Sequence, residues 1–126
     1  MPAPVDSAFF ARLTQANERF RAGLPVTLSR LAAVRAALLP GAPAPASVAE
    51  LQSLLHTLAG AAVTFGFREL GHGARGLEQR LRVLTAFDTV GEDDWGAWLG
   101  ALDGFVAAGL RAPAPRYHSA AFSPLP

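Results

Sequence analysis

The run LLHTLAGAAVTFGF, Leu54 to Phe67, places a single histidine among apolar and small residues. In a helix of 3.6 residues per turn, each residue is rotated by about 100° from the preceding one. Measured from His56, six apolar residues of the surrounding segment lie about 100° or more away and form a buried stripe: Leu51, Leu54, Leu55, Leu58, Ala62 and Phe65. The spacing therefore predicts a helix on which His56 faces solvent, opposite the core.

The side chains predicted to surround His56 are small for an exposed helix face. On the helical wheel its nearest neighbours are Gln52, Ala59, Gly60 and Val63. Exposed faces normally carry charged residues, and a glycine such as Gly60 costs a helix roughly 1 kcal/mol relative to alanine. Small neighbours leave the imidazole accessible to another protein. Because a neutral imidazole has one ring nitrogen with a free lone pair, the pattern indicates a histidine that can attack a phosphoryl group on a partner.

Nearly every periodic segment of the chain predicts a helix rather than a strand. Gly23 and Pro25 are expected to end the first helix, a Ser47–Glu50 capping box to begin the third, and Gly66 to end it. The predicted helices span about 6–22, 28–39, 47–65, 67–86 and 92–110.

Short connections between these helices favour antiparallel neighbours. The sequence therefore predicts an all-α protein over residues 1–111, an antiparallel four-helix bundle with an additional N-terminal helix. Residues 112–126 are rich in proline and aperiodic, and they are predicted to form a flexible tail.

Composition excludes several classes of function. The 126 residues suffice for one domain, and a net charge of +1 gives no nucleic-acid footprint. All the basic side chains are arginine, so no lysine can do chemistry, and the lack of cysteine excludes disulfides and thiol catalysis. No signal peptide and no apolar run of membrane-spanning length is seen, so a soluble cytoplasmic protein, without membrane partners, is expected.

These residues resemble a known family, the histidine-containing phosphotransfer (HPt) domains of two-component phosphorelays. The resemblance is carried by His56-Thr57-Leu58-Ala59-Gly60, by Phe65-Gly66, and by the run Ala74 to Glu78 in the following leucine-periodic helix. The order and total length of the predicted helices are also similar to the family. Its specific part covers residues 54–78, and its architecture covers about 6–110.

The resemblance implies a phosphocarrier. Such a domain accepts a phosphoryl group, here on His56, from a receiver-domain aspartate of a hybrid kinase or response regulator and passes it to another receiver. It has no ATP-dependent kinase activity of its own and needs no cofactor on this chain, since Mg²⁺ is expected on the receiver. His56 would be the catalytic residue, and Gln52, Ala59, Gly60 and Val63 would form the docking surface of a monomer.

One position departs from the family pattern. Where the family usually has lysine, three residues after the histidine, this chain has Ala59. No cation is then predicted within one turn of His56 on its own helix. Arg68 and Arg75 lie on the next predicted helix, off its leucine stripe, and the wheel does not bring them to His56. The substitution is expected to slow transfer or to shift the preference for a partner.

Two other functions are compatible with the sequence. A degenerate domain of this kind would bind a receiver as a non-catalytic adaptor without carrying phosphate. The Glu69-x-x-His72 spacing is also found in di-metal helix bundles, but those sites need a second such pair, and the sequence has none. His118 lies in the predicted tail and is interpreted as incidental.

Overall fold

The computed structural model describes residues 4–38, 43–86 and 90–111. The predicted tail, 112–126, lies outside these residues. Within them the regular elements are four α-helices and no strand: α1 is Pro4–Ala36, α2 is Pro45–Thr64, α3 is Arg68–Thr85 and α4 is Glu92–Arg111. The all-α fold class expected from the periodicity is confirmed.

The four helices form a closed, antiparallel ring in which α1 contacts α2 and α4, and α3 contacts the same two. Along α1, Phe20 packs against Phe65 just after the end of α2, and Arg30 contacts Glu50 near its start, so the two helices run in opposite directions. At the other end of the chain, the Trp98 indole N–H donates to the Leu77 carbonyl oxygen at 3.0 Å and ties α4 to α3. The bundle core lies between the helices.

The core consists of apolar side chains from all four helices. Its most buried large side chains are Leu24, Leu28, Leu31, Leu51, Leu55, Phe67, Leu81, Trp98 and Leu102. Burying a leucine of this kind contributes about 1.5–3 kcal/mol. Trp95 and Trp98 are also buried in this core.

The predicted break between a first and a second helix is wrong. Gly23 and Pro25 lie inside α1, so the additional N-terminal helix is the first part of one 33-residue helix. Proline inside a helix costs about 3 kcal/mol, because it removes one hydrogen bond and clashes with the preceding turn. Leu24, Leu28 and Leu31 share one face and are almost fully buried. Together they offset that cost, so packing overrides the local preference.

The first part of α1 extends past the end of the bundle. Phe20 packs against Phe65 and Phe67 at the turn between α2 and α3, and residues 7–15, which precede this contact, are all exposed. Phe9 and Phe10 are 52% and 62% exposed and contact each other edge to face. This segment of α1 therefore has little support from the other helices.

The start of α2 also differs from the prediction. The helix begins at Pro45, one residue after its N-cap Ala44, and no side chain caps it. Proline suits the first helical position because its fixed φ is already helical and its missing N–H has no partner there. Glu50 therefore does not close a capping box with Ser47; it accepts a hydrogen bond from Arg30 Nε at 2.6 Å.

The end of α2 is the turn that the sequence predicts. Gly66 has φ of 86°, a left-handed conformation that glycine adopts without strain. The Gly66 amide donates to the Val63 carbonyl, and the Phe67 amide donates to the Ala62 carbonyl. These two bonds form a Schellman motif, which ends the helix and reverses the chain. The turn places α3 antiparallel to α2, and this pairing builds the site around His56.

The closest approach of α2 and α3 is at Gly71. A Cβ atom at this position would lie 2.6 Å from Val63 Cγ2, 3.2 Å from the Val63 amide nitrogen and 3.3 Å from the Ala59 carbonyl oxygen. The backbone of α2 fills the space that a side chain would need. Gly71 therefore sets the distance between the two helices that carry the site.

Replacing Gly71 with alanine is expected to destabilise the protein. Overpacking costs about 1–3 kcal/mol, which exceeds the gain in helix propensity of about 1 kcal/mol, so we expect a net loss of about 1 kcal/mol. Gly76→Ala, where the added Cβ meets nothing within 4 Å, is the matched control and should stabilise the protein. Urea unfolding of both variants checks the prediction; equal stabilisation by both would show that the helices separate without cost.

Candidate functional site

His56 lies in the middle of α2 with its side chain 72% exposed. This agrees with the wheel prediction. The α2 core residues Leu51, Leu55 and Leu58 are buried on the other side of the helix. The imidazole is thus accessible to a partner, while the backbone that carries it is fixed by the bundle core.

The imidazole is held at one nitrogen by a carboxylate from α3. His56 Nδ1 lies 3.1 Å and 3.3 Å from the two carboxylate oxygens of Glu78. A carboxylate only accepts hydrogen bonds, so Nδ1 carries the proton and donates it. The other ring nitrogen, Nε2, then has the free lone pair. Glu78 therefore fixes both the tautomer and the orientation of the ring.

Glu78 is the buried charged residue of the described core. Its side chain is 8% exposed, and its carboxylate also accepts a hydrogen bond from Arg82 Nη2 at 2.8 Å. Both His56 Nδ1 and Arg82 Nη2 contact the same oxygen, Oε2. A buried carboxylate needs such partners, because burial of an unpaired charge is costly. The three side chains form one network, and Glu78 is its centre.

Glu78 and Arg82 are not among the site residues that the sequence predicts. Neither lies on the leucine stripe of α3, and Glu78 is named above only as the last residue of the run Ala74 to Glu78. A second stripe, Gly71, Arg75, Glu78 and Arg82, follows the four-three-four spacing of one helix face. The sequence signal for this face is one acidic residue in register with a glycine and two arginines; the packing of Gly71 against α2 is seen only in the structure.

The four predicted docking residues differ in how exposed they are. Gly60 and Val63 are exposed, and Gln52 is half-buried. Ala59 is 3% exposed and does not lie on the accessible surface. Its carbonyl oxygen faces Gly71 of α3, because α3 packs closer to this side of α2 than the wheel alone could show. The burial of Ala59 removes its side chain from the surface predicted around His56, and a docking role for Gln52, Gly60 and Val63 stays a prediction.

Gly60 has no packing reason to be glycine. A Cβ atom at Gly60 would meet nothing within 4 Å, and the residue lies one helical turn from His56. We expect Gly60→Ala to raise the free energy of unfolding by about 0.5–1 kcal/mol, as the matched variant Gly100→Ala on α4 should do. Chemical denaturation of both variants measures this gain.

The same pair of variants separates stability from function. Only Gly60→Ala adds a methyl group beside the imidazole, so it alone is expected to slow, several-fold, the phosphoryl transfer to His56 that the family resemblance implies. Transfer at the wild-type rate in both variants would contradict a role for the open surface at Gly60.

Glu69 and His72 do not complete a metal site in the described part of the chain. Both are exposed on α3, and residues 4–38, 43–86 and 90–111 contain no group of three or more histidine, aspartate or glutamate residues that could hold a metal ion. In these same ranges no helix is both long and apolar enough to cross a membrane.

Comparison with known proteins agrees with this geometry. The family model described as "Hpt domain" matches residues 8–108, which include all of α2 and α3 and most of α1 and α4. Searches of curated proteins and of solved structures found no match to the chain. A match over this length shows the family, and it covers His56, Glu78 and Arg82 together. The chain therefore belongs to the Hpt domain family, whose members serve histidine phosphotransfer in two-component systems.

Proposed function

We propose that this chain is a phosphocarrier that accepts a phosphoryl group on His56 from the phosphorylated aspartate of a receiver domain and passes it to the receiver of a response regulator. The observation that carries the proposal is the pairing of an exposed imidazole with a buried carboxylate: the ring is 72% exposed, and Glu78 is 8% exposed. The transfer is proposed to take place in the cytoplasm, the location expected from the sequence.

The proposed transfer uses one nitrogen of the ring as the nucleophile. The Nε2 lone pair of His56 attacks the phosphorus of the aspartyl phosphate, the P–N bond forms, and the P–O bond to the aspartate breaks. The aspartate leaves as a carboxylate with the electron pair of that bond. No proton has to move, because Nδ1 keeps its hydrogen throughout and continues to donate it to Glu78. The reverse steps deliver the group to the next receiver.

Glu78 is proposed to stabilise the ring as its charge changes. When Nε2 forms the new bond, the imidazole ring becomes positively charged, and the Glu78 carboxylate already lies 3.1 Å from Nδ1. A fixed negative charge at that distance stabilises the developing positive charge without reorganisation. The hydrogen bond changes from neutral-donor to charge-assisted and becomes stronger. The divalent cation and the acid residues that act on the phosphoryl group belong, in this proposal, to the receiver.

The experiment offers the full chain to a panel of receiver domains that carry radiolabelled phosphoryl groups. Label that moves to the chain and is lost in acid but stable in base identifies a phosphohistidine and names the donor. A second receiver added to the labelled chain should then take the label. If no receiver in the panel transfers label while one of them is still retained by the immobilised chain, the adaptor function replaces this proposal. If none transfers label and none is retained, the proposal fails as well.

A further inference from the structure

The charges around His56 are unfavourable for a negatively charged phosphoryl group. Glu78 places a negative charge within 3.1 Å of the ring, and an incoming phosphoryl group adds further negative charge on the other side. α2 contains no basic residue other than His56 itself. Arg82 brings a positive charge to this network, but its guanidinium is paired with Glu78 at 2.8 Å. The network at rest therefore has no free positive charge for the phosphoryl group.

The register of α2 against α3 places a second arginine at this point. Gly71 lies against Val63 and the Ala59 carbonyl, and Glu78 contacts His56, so the segment between them follows α2 in the opposite direction. Arg75 lies on this same face of α3, four residues after Gly71 and three before Glu78. It is therefore level with the part of α2 just beyond His56.

The surface of α2 at the level of Arg75 carries no large side chain. Ala59, which is buried, and Gly60, which is exposed, occupy this level of α2, and neither has a side chain that extends outward. A Cβ atom at Gly60 would meet nothing within 4 Å. Arg75 is itself exposed, and in the described part of the chain no carboxylate is paired with it. The wheel of α3 alone does not show this placement, because it gives the position of Arg75 relative to the leucine stripe and not relative to the face that meets α2.

We infer that Arg75 binds the phosphoryl group during its transfer to and from His56. The inference rests on the proposed function of His56. The guanidinium donates hydrogen bonds to the phosphoryl oxygens across the open surface at Gly60, a geometry that suits arginine because its planar fork presents several N–H donors. Arg75 supplies the positive charge for the phosphoryl group, because the positive charge of Arg82 is already paired with Glu78. No bond to Arg75 is made or broken in the transfer.

The test compares Arg75→Gln with Arg80→Gln in single-turnover transfer from a labelled receiver that phosphorylates the wild-type chain. Arg80 is exposed on α3 about 140° from Arg75, so it is a matched loss of charge on another face. At saturating receiver concentration we expect Arg75→Gln to transfer at least about tenfold more slowly than wild type, and Arg80→Gln to transfer at nearly the wild-type rate. Arg75→Lys, which retains the charge without the fork, should lie between them.

Three results would overturn the inference. Equal rates for Arg75→Gln and Arg80→Gln, with normal labelling of the wild type, would remove Arg75 and leave the proposed function intact. A higher half-saturating receiver concentration for Arg75→Gln, with an unchanged rate at saturation, would show that Arg75 contacts the receiver and not the phosphoryl group. Absence of label on the wild type with every receiver would remove the proposed function, and this inference with it. Thermal unfolding of each variant shows whether it is folded.

Discussion

His56→Gln is expected to abolish phosphoryl acceptance completely. Glutamine is similar in length and polarity, but its amide nitrogen has no available lone pair, so no P–N bond can form. Because the His56 side chain is 72% exposed and its contact with the bundle is a single carboxylate, we expect stability to change by no more than about 0.5 kcal/mol. The variant should therefore be folded, bind the receiver and stay unlabelled.

The matched control for this variant is His72→Gln. His72 is exposed on α3 and lies about 120° around that helix from Glu78, so it has the same chemistry outside the network. It should accept label at the wild-type rate. Label that persists on His56→Gln and disappears from His72→Gln would transfer the acceptor role to α3 and refute the site described here. Autoradiography of both proteins after incubation with one labelled receiver gives the answer.

Glu78→Gln is expected to slow transfer by roughly 10- to 100-fold. The glutamine carbonyl can still accept the hydrogen bond from His56 Nδ1, but it has no charge to balance the positive ring. A hydrogen bond to a charged group contributes about 1.5–3 kcal/mol, and each 1.36 kcal/mol corresponds to a factor of ten in rate. The amide also no longer pairs with Arg82, which at 65% exposure turns to solvent at small cost.

A rate measurement at saturating receiver concentration isolates this effect from docking, because Glu78 is buried and offers no surface to a partner. Glu92→Gln, in the exposed first turn of α4, is the control for loss of one negative charge. Wild-type rates in Glu78→Gln would mean that the ring needs only a hydrogen-bond acceptor and no charge. Circular dichroism of the variant confirms that its helices are retained.

The sequence was sufficient for several properties that depend on one helix at a time, although not for the start of α2. The position of His56 opposite Leu51, Leu55 and Leu58 follows from 3.6-residue periodicity alone, and the structure confirms its exposure. Gly66 as the end of α2 follows equally from local geometry, since its positive φ is a local requirement. The all-α class follows from the same periodicities, repeated along the chain.

Features that depend on the packing of two helices were either not predicted or predicted wrongly. Ala59 was expected on the accessible surface, and its burial depends on how closely α3 approaches at Gly71. Glu78 lies 22 residues from His56, and their contact depends on the register of the α2–α3 pair. Pro25 was expected to end a helix, and its tolerance depends on burial against other helices. A helical wheel contains no information about any of these distances.

The long first helix has a consequence for how this protein unfolds. Starting a helix is unfavourable and extending it is not, so the part of α1 that packs in the bundle provides the nucleus for residues 7–15, which are exposed throughout. Their backbone hydrogen bonds open by local fraying, with a free energy far below that of global unfolding. The helix of residues 7–15 therefore depends on the folded bundle, but the bundle does not depend on that helix. When the bundle unfolds, the projecting segment must lose its helix, whereas the segment can melt and re-form many times while the bundle, with His56 and Glu78, stays intact.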